Sequence, residues 1–248
     1  MREKDFRKYS QIRKGLMPRA LMLNNAEWIV DELIAHKCNR PLKFVEIGFN
    51  HGNDTRYLAE ILYRRLGNEG WSFEAYDYEK YFMPENIAMD EREFPGINSQ
   101  IRAIPCTLEG ISANPNYFSG PIDLLYSSKT LTLCNTDVFY KVMSLICENI
   151  AENGYIACSL HTKVDVSDSF PTYSELFDMI SGKNNICSDL FCKFSILVQP
   201  NVEECNFAFI AKKTGTHKVE VCSRYFENDC QKEYVKRAKI EKDNIFIQ

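Results

Sequence analysis

Apolar residues along this chain repeat with two alternating periods. Short β-type runs occur at Lys43–Ile47, Trp71–Asp77, Ile101–Ile104, Ile122–Tyr126, Tyr155–Leu160, Phe191–Val198 and Asn206–Ala211. Between them, apolar positions fall at helical spacing: Trp28, Ile29, Leu33 and Ile34 within 25–36, and Leu58, Ile61, Leu62 and Leu66 after a cap at Asp54 or Thr55. Asp137–Ile150 and Tyr173–Ile180 read as further helices, and Asn86–Phe94 as a weak one closed by Pro95-Gly96. Strands alternating with helices predict an α/β domain with a mostly parallel sheet covered on both faces. The last two strands follow one another without a helix between them.

The first strand runs into Glu46-Ile-Gly-Phe-Asn-His-Gly52, and a helix starts at once. Glycine allows close approach of a ligand to the backbone, and asparagine tolerates left-handed dihedrals better than most residues. A turn at the carboxyl end of a strand, opening a helix, is where α/β folds place nucleotide-like cofactors. From Gly48 the chain reads G-F-N-H-G-N, a poor match to the dinucleotide fingerprint. From Glu46 it reads E-x-G-x-N-x-G. This resembles motif I of the class I S-adenosylmethionine-dependent methyltransferases, E/D-x-G-x-G-x-G, with Asn50 at the middle glycine. The two-strand ending resembles that family's Rossmann-like seven-stranded sheet, in which the last strand lies antiparallel and pairs with the sixth. The resemblance covers residues 25–213, leaving 1–24 as a basic N-terminal extension and 214–248 as a charged C-terminal tail or helix.

The resemblance implies that S-adenosylmethionine is the cofactor and that Glu46, Gly48, Asn50, His51 and Gly52 form its turn. Asp77 ends the second strand, 25 positions after Gly52, where a carboxylate accepts both ribose hydroxyls; Glu79 is a second candidate. Tyr78 is placed to flank the adenine. After the third strand the family carries an acidic residue beside the adenine amino group. Here Thr107 or Cys106 takes that place, with Leu108 against the ring. Tyr126-Ser-Ser-Lys-Thr130 should line the cleft where the methyl group leaves. His161, beyond the fifth strand, is the candidate proton acceptor, against its alternative as a polar loop residue. An N-P-P-Y tetrapeptide is missing after the fourth strand. Ser127, Ser128 and Ser159 stand where metal-dependent relatives carry carboxylates, so no metal is expected.

Composition narrows the partners. The chain has 248 residues, a net charge of −4 and 45% hydrophobic content, and no apolar run of membrane-spanning length. Its ten cysteines form no C-x-x-C pair, and no secretory leader is evident, so reduced thiols and a cytoplasmic location are expected. A small-molecule acceptor, methylated on oxygen or nitrogen, is the leading expectation. Basic clusters from Arg2 to Arg19 and from Lys232 to Lys242 keep an RNA or protein acceptor open. A catalytically inactive methyltransferase-like subunit and a nicotinamide-dependent oxidoreductase are the rival readings.

Overall fold

The computed structural model describes residues 20–36, 39–162, 171–183, 189–200, 206–222 and 226. Both basic clusters fall outside these residues, and the first helix begins at Ala20. The elements are α1 (Ala20–Ala35), β1 (Leu42–Ile47), α2 (Asn53–Leu66), β2 (Trp71–Tyr78), β3 (Ile101–Cys106) and α3 (Leu108–Ala113). They continue with β4 (Ile122–Ser128), α4 (Thr136–Asn149), β5 (Ile150–His161), α5 (Tyr173–Ile180), β6 (Phe194–Val198), β7 (Asn206–Lys213) and β8 (Lys218–Val221).

The strands form one sheet in the order β3-β2-β1-β4-β5-β7-β6-β8. β1 to β5 are parallel, and β7 inserts antiparallel between β5 and β6. This is the sheet expected from the sequence, extended by an eighth strand. β8 is parallel to β6, pairing Ser195 with Lys218 through Val198 with Val221. Its four residues, Lys-Val-Glu-Val, alternate polar and apolar but are mostly exposed, and so short a run does not by itself mark a strand.

Period-two alternation sends neighbouring side chains to opposite faces. Leu42, Phe44, Leu124 and Tyr126 join α1 and α2 in one core, whereas Val45, Ile47 and Leu125 join α4 and α5 in the other. α2 buries Leu58, Ala59, Ile61 and Leu62, and places Asp54 in its first turn and Arg64 and Arg65 in its last, matching the helix dipole. α5 is held by a full capping box between Thr172 and Glu175. Among the described residues no helix is long and apolar enough to cross a membrane.

The connection from β2 to β3 departs from expectation. In place of a helix over 86–94 there are 3-10 turns at Glu79–Tyr81, Pro84–Ile87 and Ile97–Gln100. The Asn98 side chain closes this strap, accepting from Met89 N at 2.9 Å and donating to Met89 O at 3.0 Å. Its polar groups are thus committed to long-range partners instead of a helical ladder.

At the other end of the sheet, Asp123 is 5% exposed and accepts both Arg40 guanidinium nitrogens at 2.7 Å and the Lys43 amide at 2.7 Å. Asp123→Ala strands that amide and half-buried guanidinium. A loss of about 2 kcal/mol is expected in urea unfolding; an unchanged midpoint would count against this pairing.

Candidate functional site

The turn after β1 is built from left-handed residues: Gly48 (φ 87°), Asn50 (φ 47°) and Gly52 (φ 68°). Gly48 N and Phe49 N both donate to Tyr76 O, at 2.7 and 3.3 Å, fastening the turn to β2. Asn50 N donates to Asp77 Oδ2 at 2.5 Å, and Tyr78 N to Asp77 Oδ1 at 2.7 Å. Asn86 Nδ2 donates to Asn50 O at 2.8 Å. The half-buried Arg56 donates to the carbonyls of His51 (3.1 Å) and Asn86 and to Asn53 Oδ1 (2.6 Å). Arg56 and Asn86 thereby stitch the strap to the turn. Nothing in their local sequence signals this role, because the contact spans 30 residues.

A cleft of about 440 Å³ opens at the carboxyl ends of the parallel strands. Of the residues expected at a cofactor, Gly48, Asn50, Asp77, Tyr78, Thr107 and Leu108 line it. Ser128 and Thr130 line it from the β4 side, and Cys106, the alternative to Thr107, lines it too; Glu109, Leu133 and Cys134 were not foreseen. Tyr78 and Leu133 are exposed, offering aromatic and apolar surface at the cleft. The Thr107 hydroxyl also caps α3, accepting from Gly110 N at 2.9 Å.

Other expected residues lie away from this lining. Glu46 and Tyr126 are paired neighbours on β1 and β4 and share the face turned toward α2. Glu46 is buried and accepts from Thr55 Oγ1; Tyr126 donates to Asp54 Oδ2 at 2.9 Å. Parity alone did not show this, because Ser128 shares the face of Tyr126 by alternation and still lines the cleft from the open end of β4. His51 is buried within the turn. Gly52 faces the strap, where an added Cβ would sit 2.7 Å from the Asn86 carbonyl carbon. His161 ends β5 with its amide on Thr132 Oγ1 at 3.1 Å, outside the residues lining the cleft.

Burial pushes the Asp77 carboxyl up to about 6, restrained by the two backbone amides it accepts. It also pushes the Cys106 thiol up to about 12, with Asp77 adding to the shift, and the Cys134 thiol up to about 11, with Glu109 adding. Both thiols are therefore protonated at neutral pH. Among the described residues no group of three His, Cys, Asp or Glu side chains is arranged to hold a metal ion.

An added Cβ at Gly48 would lie 2.6 Å from the Thr130 Cβ, so the Thr130 side chain packs directly over the turn. The glycine requirement there comes from this close approach as well as from the positive φ.

Solved structures with the same arrangement are methyltransferases. The chain superposes on the DszA carbon methyltransferase with a TM-score of 0.52 at 12% identity, over 76% of this chain and 52% of that one. It matches the CurJ carbon methyltransferase at 0.52 and 13%, over 76% and 54%. A Clostridium thermocellum protein described as an rRNA-methylase matches at 0.52 and 15%, over 77% of this chain and 97% of that chain. This is the class I S-adenosylmethionine-dependent methyltransferase fold. The chain spans about half the length of the two carbon methyltransferases. No protein-family model and no curated protein matches the sequence. Within this methyltransferase fold, the cleft occupies the carboxyl ends of the strands, where open α/β sheets bind ligands.

Proposed function

We propose that the chain is an S-adenosylmethionine-dependent methyltransferase acting without a metal ion, on an oxygen or nitrogen of a small molecule. The observation that carries this reading is the pairing of Asp77 with the left-handed Asn50 turn inside the cleft. A buried carboxylate with one amide on each oxygen retains lone pairs for two further donors, which suits a ribose diol. The fit extends to the flanks. Tyr78 and Leu108 supply apolar surface for a purine.

When bound, the cofactor supplies an electrophilic methyl group on a sulfonium. The chain's own part is to hold and shield. Asp77 orients the nucleoside, the turn closes over it, and Ser128 and Thr130 line the wall toward the acceptor. Alignment of this kind supplies much of the acceleration in an in-line displacement. Among the described residues, those lining the cleft carry the carboxylates Asp77 and Glu109 and no lysine or arginine. That balance favours a neutral or cationic small acceptor over a phosphate backbone.

Thr130 over Gly48 favours one second reading, a methyltransferase-like binding subunit whose methionine end is narrowed. Calorimetry with S-adenosylmethionine and S-adenosylhomocysteine separates the two. Binding is expected at pH 8 and roughly tenfold weaker at pH 5. The sign follows from Asp77: ribose hydroxyls donate to its ionised form, and a carboxyl titrating near 6 loses that form as pH falls. No heat at any pH would leave the binding-subunit reading in place.

A further inference from the structure

Arg56 stands on the first turn of α2, and neither it nor Asn86 is among the described residues lining the cleft. Its guanidinium nevertheless ties together the turn and the strap. One nitrogen donates to the His51 carbonyl of the turn at 3.1 Å and to the Asn86 carbonyl of the strap. The other donates to Asn53 Oδ1 at 2.6 Å, which sets the plane of the group. Asn86 in turn donates from Nδ2 to the Asn50 carbonyl at 2.8 Å, while Asp77 accepts the Asn50 amide. Asn50 is thus gripped through both its backbone groups at a φ of 47°. A non-glycine residue stays left-handed only where its surroundings hold it there. The buried Glu46 carboxylate favours the charged form of Arg56 and keeps the guanidinium in place.

We propose that Arg56 is a positioning residue for the cofactor site: acting through Asn86, it holds the Asn50 peptide so that its amide stays on Asp77. This rests on the cofactor reading above. A planar guanidinium holds several oxygens at fixed angles, which the single ammonium of a lysine does not reproduce. With the bracket loosened, the Asn50 peptide is free to turn and Asp77 loses one of its two amides. The carboxylate then binds less well and is harder to ionise, because an amide bonded to it favours its charged form. The titratable and charged groups on the segments around Asp77 are Cys106 on β3, Tyr78 and Glu79 after it, His51 in the turn and Arg56 on α2. Of these, the Cys106 thiol is coupled to the carboxyl, and it is protonated at neutral pH.

A double-mutant cycle tests this. S-adenosylhomocysteine is titrated by calorimetry between pH 5 and pH 8 into the wild type, Arg56→Lys, Asn86→Ala and the double variant. Lysine keeps the charge beside Glu46, and alanine removes one side chain from a 3-10 turn, so both should fold, as circular dichroism checks. At pH 8 each single variant should bind roughly three- to tenfold more weakly than the wild type. The pH midpoint of binding should move upward in each. Because Arg56→Lys keeps the charge, that shift reads the lost amide and not a lost cation. The double variant should bind no worse than the weaker single one, since both changes cut the same chain of bonds. A merely structural role would lower the urea midpoint but leave the affinity and the pH midpoint of the folded protein unchanged; that result overturns the proposal. Fully additive losses overturn it too, because Arg56 would then act by a route other than Asn86. If Arg56→Lys does not fold, Asn86→Ala decides alone, and unchanged affinity and midpoint there overturn the proposal. A wild type that binds no S-adenosylhomocysteine at any pH sinks the cofactor reading itself, and this inference with it.

Discussion

Gly52→Ala should destabilise the protein by about 3 to 5 kcal/mol, read as a lower urea midpoint. Two causes add. At φ 68° an L side chain is strained by about 1–2 kcal/mol. The new Cβ would also lie 2.7 Å from the Asn86 carbonyl carbon, closer still to its oxygen, and 3.0 Å from Ile87 Cγ2. That carbonyl is backbone and accepts from Arg56, so it cannot swing aside as a surface side chain does. Gly215→Ala provides the contrast. Its φ of 78° is similar and nothing lies within 4 Å of the added carbon, so only the dihedral cost of about 1 kcal/mol is expected. Equal losses at the two sites would show that the strap yields freely. The glycine of this turn would then belong to the cofactor instead of to the strap.

Asp77→Ala should weaken S-adenosylhomocysteine binding by roughly a hundredfold or more, since two charge-assisted hydrogen bonds go with it. Asp77→Asn should fall between wild type and alanine. It should also bind with little change between pH 8 and pH 5, because the group that titrates near 6 is gone. The two variants therefore test different things. Alanine removes the contact together with the anchor of the Asn50 and Tyr78 amides, whereas the flat pH profile of asparagine identifies Asp77 as the titrating group. Retained steep pH dependence in Asp77→Asn would move that titration to another residue. Circular dichroism should show both variants folded, since each change replaces one side chain at the open end of β2.

Much of the architecture was legible from local patterns. Trp71–Asp77 alternates apolar and polar residues, and Tyr173–Ile180 carries its capping box in sequence; both elements form close to the expected bounds. Two apolar runs with no helix between them marked β6 and β7, and the resemblance to the methyltransferase sheet implied that the last lies antiparallel. The helix expected over 86–94 does not form. Its polar residues had helix-compatible spacing, but the Asn86 side chain is bonded to Asn50, and its carbonyl to Arg56, across the fold. β8 was missed because its alternating Lys-Val-Glu-Val run is only four residues long and mostly exposed. Site residues divide the same way. Asp77 and Asn50 were readable from their distance along the chain and their residue types. Glu46 matched the motif and Tyr126 opened the segment expected along the cleft, yet both lie on the face toward α2.

By itself the sequence determined the order of strands and helices and the left-handed glycine–asparagine turn. It also set the carboxylate at the end of β2. These follow from periodicity and backbone sterics, which act over a few residues. Only the tertiary structure decided which of the motif residues face the cleft. It alone showed that Gly52 serves the strap and that Thr130 packs over Gly48. Those outcomes depend on contacts between segments 30 to 80 residues apart, for which local preference carries no signal.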